Sequence, residues 1–377
     1  MKLAFLLYNY FPYGGLQRDF FDVAMAATKR GHTVDVYTLD WHGEKPSELS
    51  IHEIDVSPMR NHNRYRRFTE ITLPLLTAGK YHRVIGFNKM PGLDVYYGAD
   101  PCFEHKARNL RNWYYRYTAR YRHFATYEGE VFSPTARTRL LMLSEIEKHH
   151  CMHYYNTPEN RFIVLPPAVG ADYMRPANAD DISQQFRMEF GFCENDNLVV
   201  CVGSDFQRKG VDRTIRAMAA LSDQTRTNCH LLVVGLDDAN PFTRLANWLN
   251  IEHQVHFYQG RDDVPRFLFA SDLFVHAARS ENTGTVILEA IVAGTPALVT
   301  ANCGYANHVT RADAGLVNPT PFDQDEFNQH FADMLTSPKR NQWRENGVSY
   351  GKTQQLQGRA ELTVDLIEQF ETDSSRN

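Results

Sequence analysis

Two carboxylates, Glu281 and Glu289, stand with seven residues between them in the run Ser280-Glu281-Asn282-Thr283-Gly284-Thr285-Val286-Ile287-Leu288-Glu289. The run follows a strand-like apolar stretch and itself turns apolar, as a helix entering a core does. A helix beginning near Gly284 leaves Glu281 in the preceding loop and sets Glu289 about a turn and a half inside. Carboxylates accept hydrogen bonds from sugar and ribose hydroxyls. A helix N-terminus offers unpaired N–H groups and the positive end of its dipole to a diphosphate. Gly284 lets a ligand approach the backbone closely. The same spacing also fits a helix with an acidic first turn, where Glu281 merely favours the dipole.

A second turn, Gly203 to Arg213, carries adjacent Arg208 and Lys209 beside Gly210 at a strand-to-helix junction. That pair suits a phosphate group whose negative charge grows as it leaves; a solvated basic turn is the plain alternative. Pro12-Tyr13-Gly14-Gly15-Leu16-Gln17-Arg18-Asp19 and Gln259-Gly260-Arg261 are weaker signals of the same kind, since glycines most often just mark turns. Asp237-Asp238 and Asp262-Asp263 precede helical segments, where Asp caps or favours the dipole, so no metal site is expected from them. The six cysteines show no CxxC and no metal-ligand spacing, and read as reduced, buried thiols of a cytosolic protein.

Between Phe103 and Phe124 lie Lys106, Arg108, Arg111, Arg116, Arg120 and Arg122 against a single acid, Glu104, interleaved with Trp113, Tyr114, Tyr115, Tyr117 and Tyr121. On a helical stretch this composition suits the headgroup zone of an anionic membrane or an acidic acceptor, with Arg60, Arg64, Arg66 and Arg67 as an extension. Nucleic acid would also favour stacked aromatics among cations, but a net charge of −5 makes any basic site local. The alternative is a helix that packs its aromatics inward and keeps its charges in water.

The elements that must position these residues read as α/β. Leu3 to Tyr8, a glycine turn, a helix with Phe20, Val23, Ala24 and Ala27 on one face, Gly31, and a strand from Thr33 to Leu39 make a βαβ unit. Arg83 to Phe87 is a further strand. The second half repeats the order: strands at 198–202, 230–234, 255–258, 273–276 and 297–300, with helices at 242–249, 264–270 and 285–293. A helix bearing Val211, Ile215 and Met218 follows the first of these strands. A chain of 377 residues is too long for one core, and Leu165-Pro166-Pro167 is the natural junction. The architecture is two doubly wound, Rossmann-like domains facing across a cleft, with chemistry in the loops after the strands. No window approaches the ~20 apolar residues of a membrane span, and the apolar N-terminal run is too short for a signal peptide.

These motifs resemble those of retaining GT-B glycosyltransferases of family GT4. The family's E-x7-E element is matched by Glu281 and Glu289, and its Arg-Lys pair by Arg208 and Lys209. Leu7-Tyr8 through Phe20, Gly86 to Tyr96, Gly203 to Arg213, and Cys303-Gly304-Tyr305-Ala306 are similar to the members that build the lipopolysaccharide core, with few gaps up to about residue 350. The resemblance implies an acceptor-binding domain at 1–166, a nucleotide-sugar domain at 167–351, and a C-terminal helix at about 352–371 packing back on the first. It implies a UDP-sugar donor, a heptose of the lipopolysaccharide inner core as acceptor, retention by front-face attack, and no metal or other cofactor. Gly15 would lie near the donor phosphate and Asp19 near the reacting sugar. Arg208 and Lys209 would neutralise the diphosphate, and Arg261 would contact the nucleotide. Glu281, with Thr283, Gly284, Thr285 and Val286, would hold sugar and phosphates, and Glu289 the ribose. Expected partners are the donor, the core acceptor and, peripherally, the cytoplasmic face of an anionic inner membrane, with no nucleic acid. A GT4 enzyme for another glycan or glycolipid, and a non-catalytic sugar-nucleotide- or nucleic-acid-binding protein, are the competing readings. The chain departs from the family's His-Pro-Ala-Tyr at His276-Ala277-Ala278-Arg279 and from Leu-Pro-Pro-Gly at Leu165-Pro166-Pro167-Ala168, and only Tyr173 or Arg175 could fill an Arg slot after that turn.

Overall fold

Runs such as Leu3-Ala4-Phe5-Leu6 and Leu198-Val199-Val200-Cys201 are apolar at consecutive positions, so a strand made from them must be covered on both faces. Both are. In the computed structural model, which describes residues 1–370 apart from Tyr13, Pro58, Met59 and Leu110, the chain divides into two compact units. One comprises Met1–Pro167 with the stretch from Gly358 onward; the other is Ala168–Gln357.

The first unit holds β1 (Lys2–Leu6), β2 (Asn9–Tyr10), β3 (Thr33–Thr38), β4 (Asp40–Trp41), β5 (Ser50–Glu53), β6 (Arg83–Gly86), β7 (Val95–Gly98), β8 (Arg139–Met142) and β9 (Phe162–Val164). Seven of these form a sheet in the order β5-β3-β1-β6-β7-β8-β9, every pairing parallel, and β2 pairs with β4 apart from it. Side chains alternate across a strand. Leu3, Phe5 and Leu7 therefore enter a core with Phe20, Val23, Ala24 and Ala27 of the helix Gly15–Lys29, while Ala4, Leu6 and Tyr8 enter another with Phe68 and Phe132.

The C-terminal helix, Arg359–Gln369, adds Val364 and Ile367 to the first of these cores. It starts later than the expected 352, because the helix Arg340–Thr353 runs on through that point. Arg30 and His32 hold its outer face through Asp365 and Glu368.

The second unit holds β10 (Asn197–Val202), β11 (Cys229–Val234), β12 (Val255–Tyr258), β13 (Leu273–His276), β14 (Ala297–Thr300) and β15 (Gly315–Asn318), all parallel, in the order β12-β11-β10-β13-β14-β15. Leu198 and Val200 face one core and Val199 and Cys201 the other. On the helix Val211–Ala219, the residues Val211, Ile215 and Met218 are buried, as their spacing predicts.

One buried ion pair ties the first unit's loops together. Lys89, in the loop after β6, donates to Glu128 Oε1 (2.5 Å) and to the Pro101 carbonyl (2.6 Å). Glu128 also accepts from the amides of Phe103 and Glu104 and from the Tyr155 hydroxyl. Burial alone would push Lys89 down; Glu128 beside it holds it well above its ordinary value. Removing one partner of such a pair leaves a buried charge uncompensated, at a cost of about 3–5 kcal/mol. Lys89→Met should therefore destabilise the protein by about that amount in urea unfolding, and a loss below ~1 kcal/mol would show that Glu128 is held by its other donors alone.

Candidate functional site

The strand orders fix where a ligand edge lies. After β10 the chain passes to β11 on one side, and after β13 to β14 on the other, so a crevice opens between their carboxyl ends. The loops leaving these two strands carry the Arg208-Lys209 turn and the Glu281 segment, and the fold brings them into contact.

Glu281 is the meeting point. Its Oε2 accepts from Arg208 Nη1 (3.0 Å), from Lys209 Nζ and from His276 Nε2 (3.3 Å). His276 is the last residue of β13 and its side chain is 1% exposed, while Lys209 and Glu281 are 13% and 11% exposed. Burial would raise the Glu281 carboxyl, but the hydrogen bond from His276 and the charges of Lys209 and Arg208 outweigh it and hold it well below the usual range. His276 is pushed down to about 4 by burial first, then by Lys209, so it stays neutral at neutral pH. A carboxylate can only accept, so the imidazole proton sits on Nε2.

The turn that presents the cations is a four-residue helix, Phe206–Lys209. Asp205 starts it, accepting from the Arg208 amide (3.3 Å) and from Arg208 Nε (3.0 Å). Gly210 ends it at φ +74°, where a Cβ would sit 2.0 Å from the Ala277 carbonyl oxygen. Only glycine allows both that dihedral and that approach. Arg279 then joins the two loops: its guanidinium meets both oxygens of Asp212 at 2.8 Å and donates to the Gln207 carbonyl (2.5 Å), and its amide donates to the Arg208 carbonyl (2.8 Å).

The helix of the Glu281 segment spans Thr285–Val292, with Gly284 at φ +77° as its N-cap and Gly294 beyond its end. Glu281 lies in the loop before it, bridged to Cys303, and Thr283 accepts from the Tyr305 amide. Thr283, Thr285 and Val286 are partly exposed at the helix start, and Glu289 is buried in its second turn. Arg261, after β12, is held bidentately by Asp263 (2.6 and 2.9 Å) over the rings of Phe190 and Phe267. Asp263 also takes Arg266, so this acid serves side chains rather than the helix start assigned to it from sequence. Asp237 accepts from the Phe206 amide (2.7 Å) instead of capping its own helix. Arg175 binds the Ala293 carbonyl, at the opposite end of the Thr285–Val292 helix from the Glu281 turn, and Tyr173 is buried in the core.

In the first unit, Gly15 is the first residue of its helix and Asp19 lies one turn in. Asp19 accepts from the Tyr97 hydroxyl (3.1 Å) on one oxygen and from Arg359 on the other. Burial, with Asp19 nearby, raises Asp22 to about 6.

The basic-aromatic stretch is not one helix but three pieces, Phe103–Asn109, the 3-10 turn Trp113–Tyr117 and Ala119–Phe132. Trp113, Tyr114 and Tyr117 point outward, 71%, 58% and 73% exposed, which removes the reading in which the aromatics turn in together. Arg111, Arg116, Arg120 and Arg122 are exposed, Lys106 is half-buried, and Arg108 pairs with Glu104. The expected extension is largely neutralised: Arg64 is clamped by Asp40, and Arg66 and Arg67 by Glu70.

All six cysteines are unpaired, and five are buried; Cys193 is exposed, against expectation. Cys102, Cys151 and Glu128 come within 4.8 Å of one another, a grouping their spacing does not reveal.

His276 and Arg279 escaped the sequence reading as site residues although both adjoin a strand's carboxyl end, which is the signal that finds them. Arg359 carried no local signal, since its partner is 340 positions away.

The chain is similar to known glycosyltransferases in sequence and fold. The family model for glycosyl transferases group 1 matches residues 183–349. The chain is 41% identical to the lipopolysaccharide glucosyltransferase WaaG of Escherichia coli (strain K12), over 97% of this chain and 98% of that one. It superposes on the crystal structure of WaaG with a TM-score of 0.94, covering 98% and 100% of the two chains. Anabaena HepE, solved with UDP-glucose, shares the fold at a TM-score of 0.75 and 14% identity, with 98% and 100% covered.

Because His276 titrates near 4 when folded and near 6.5 when unfolded, the unfolded chain takes up its proton first as pH falls. The contribution of His276 to stability is complete above about pH 6.5 and is lost progressively toward pH 4. Histidine NMR should show His276 neutral, with Nε2 protonated, down to about pH 5; a midpoint near 6.5 would contradict the burial argument.

Proposed function

We propose a donor, an acceptor and a reaction for this chain on one premise: it belongs to the glycosyl transferases group 1 family, class GT4 with the GT-B fold. It moves a hexose from a UDP-sugar to a heptose of the lipopolysaccharide inner core, with retention of anomeric configuration. The observation that carries the reading is the convergence of Arg208, Lys209 and His276 on one oxygen of Glu281, beside a helix N-terminus at the switch point of a parallel sheet.

The site is built for a leaving diphosphate. Negative charge develops on the diphosphate as the sugar departs, and two fixed cations stabilise that charge without reorganising. Arg208 and Lys209 supply them, so the reaction needs no metal ion. The start of the Thr285–Val292 helix adds the amides of Thr285 and Val286 and the dipole. Among the described residues no donor reaches Oε1 of Glu281, which leaves that oxygen for a sugar hydroxyl. Glu289 takes the ribose, Arg261 the nucleotide, and Thr283 and Gly284 line the sugar. Gly15 and Asp19 keep the roles that the family resemblance implies, at the donor phosphate and the reacting sugar.

Similarity to a lipopolysaccharide glucosyltransferase supports the core acceptor and puts glucose first. Polar Asn282 and Thr283 would also accept galactose or an N-acetylhexosamine. Arg111, Arg116, Arg120 and Arg122, with exposed Trp113, Tyr114 and Tyr117, fit the headgroup region of an anionic membrane, while no helix of the described residues is long and apolar enough to cross one. The protein would work peripherally on the cytoplasmic face of the inner membrane, with Lys106 and Arg108 in the same membrane- and acceptor-facing group.

The deciding assay incubates the protein with a panel of UDP-sugars and core-truncated lipopolysaccharide, in EDTA, and weighs the product. One hexose should be added. Glu281→Ala should cut turnover at least about a hundredfold in protein that still folds. Near-normal turnover in that variant removes the central role of Glu281, and complete loss in EDTA restored by Mg²⁺ removes the metal-free mechanism.

Arg116→Glu with Arg120→Glu should weaken binding to vesicles containing phosphatidylglycerol by about tenfold or more, since each basic residue near such a surface contributes about 1 kcal/mol. Unchanged partitioning would assign the patch to solvent.

A further inference from the structure

The turn bearing Arg208 and Lys209 is too short to hold its own shape. One helical turn fixes several dihedrals for one hydrogen bond, and four residues gain nothing from propagation. Its geometry must be imposed from outside, and one side chain does most of that. Arg279 reaches back across the switch point to contact the turn from two directions. Its guanidinium donates to the Gln207 carbonyl inside the turn and, bidentately, to Asp212 in the first turn of the next helix. Its amide donates to the carbonyl of Arg208 itself. Arg213 reinforces the junction, donating to the Ala277 carbonyl (3.0 Å) with its guanidinium 3.7 Å from the centre of the Phe322 ring. Arg279 stands where the chain departs from His-Pro-Ala-Tyr.

We propose that Arg279, acting with Asp212, is a positioning residue that sets the place of Arg208 and Lys209 against Glu281 and thereby tunes recognition of the donor's diphosphate. It rests on the reading of Arg208 and Lys209 as diphosphate ligands. Arg279 is spoken for by Asp212 and Gln207, so it acts through the turn and not on the donor. A planar guanidinium meeting a carboxylate on two parallel hydrogen bonds fixes direction as well as distance. A misplacement of about 1 Å in a charge-stabilising group costs up to roughly a hundredfold in rate.

The test compares UDP with UMP by titration calorimetry, and kcat with KM, in Arg279→Met, in Asp212→Asn and in the double variant. The full-length protein should bind UDP well above UMP. Each single variant should lose about tenfold of that preference, with UMP affinity kept, and kcat should fall more than KM rises. The double variant should lose no more than either single one, because the two side chains form one clasp. Melting temperatures are measured alongside; should Arg279→Met fail to fold, the milder Asp212→Asn carries the same comparison. A UDP preference that survives in a folded variant, or additive losses in the double one, overturns the clasp and leaves the donor reading intact. A full-length protein that does not prefer UDP over UMP overturns the donor reading and the clasp with it.

Discussion

Burying the Glu281 carboxylate is the constraint around which the second unit's site is arranged. A carboxylate taken out of water costs several kcal/mol unless charges and hydrogen bonds replace its hydration. Here the replacement comes from Arg208, Lys209 and His276, drawn from the ends of two strands that are far apart in sequence and adjacent in the sheet. Each donor is fixed in turn: His276 by burial at the end of β13, Arg208 by Asp205, and the whole turn by Arg279 and the packing of Gly210 on Ala277. Satisfying one carboxylate thus sets the geometry of both loops, and neutral His276 does so without adding a third positive charge.

That arrangement is available only because the sheet is parallel and doubly wound. All strands of each unit end on the same edge, so every functional loop emerges there, and the order reverses at one point where adjacent loops part. The first unit repeats the scheme, with β1 and β6 as the central pair. The loop after β6 meets the loop after β1 directly, through the Asn88 side chain and the Tyr8 amide (2.8 Å), and carries Lys89 to Glu128. Asp19 sits one turn into the helix after β1, fixed by Tyr97 of β7 and by Arg359 of the C-terminal helix.

Much of this was legible in the sequence. Central parallel strands are buried on both faces and read as unbroken apolar runs, so β1, β3, β6, β10, β11, β13 and β14 are visible within a residue or two. Amphipathic helices show themselves by spacing, as Phe20, Val23, Ala24 and Ala27 do. The edge strand β12 is visible too, but the edge strand β5 is missed for a physical reason. In β5 the residues Ser50, Ile51, His52 and Glu53 pair on one side only and stay largely exposed, so their composition carries no strand signal. The helix Asn61–Gly79 is masked by Pro74 within it. The basic-aromatic stretch is legible as composition, but neither its break at the 3-10 turn nor the capture of the Phe103 and Glu104 amides by Glu128 is announced by a local pattern. The pairing of Arg279 with Asp212, or the approach of Cys102 to Cys151, exists only once the topology has placed distant segments side by side.

The two buried acids separate support from chemistry. Both are paired with a lysine from a switch-point loop, and by charge alone they look alike. Glu128 uses both oxygens: Lys89 and the Phe103 amide hold one, and the Glu104 amide and the Tyr155 hydroxyl hold the other. Backbone donors cannot move without unfolding a helix start, so this carboxylate is committed to holding the fold. Glu281 gathers its three donors, all of them side chains, on Oε2. Side-chain donors have further N–H groups to offer, so Lys209 and Arg208 can face a phosphate oxygen from where they stand while His276 keeps the carboxylate satisfied. A buried acid held on one oxygen by the side chains of two cations and a neutral histidine, beside a helix N-terminus, is held by the site and not by the backbone.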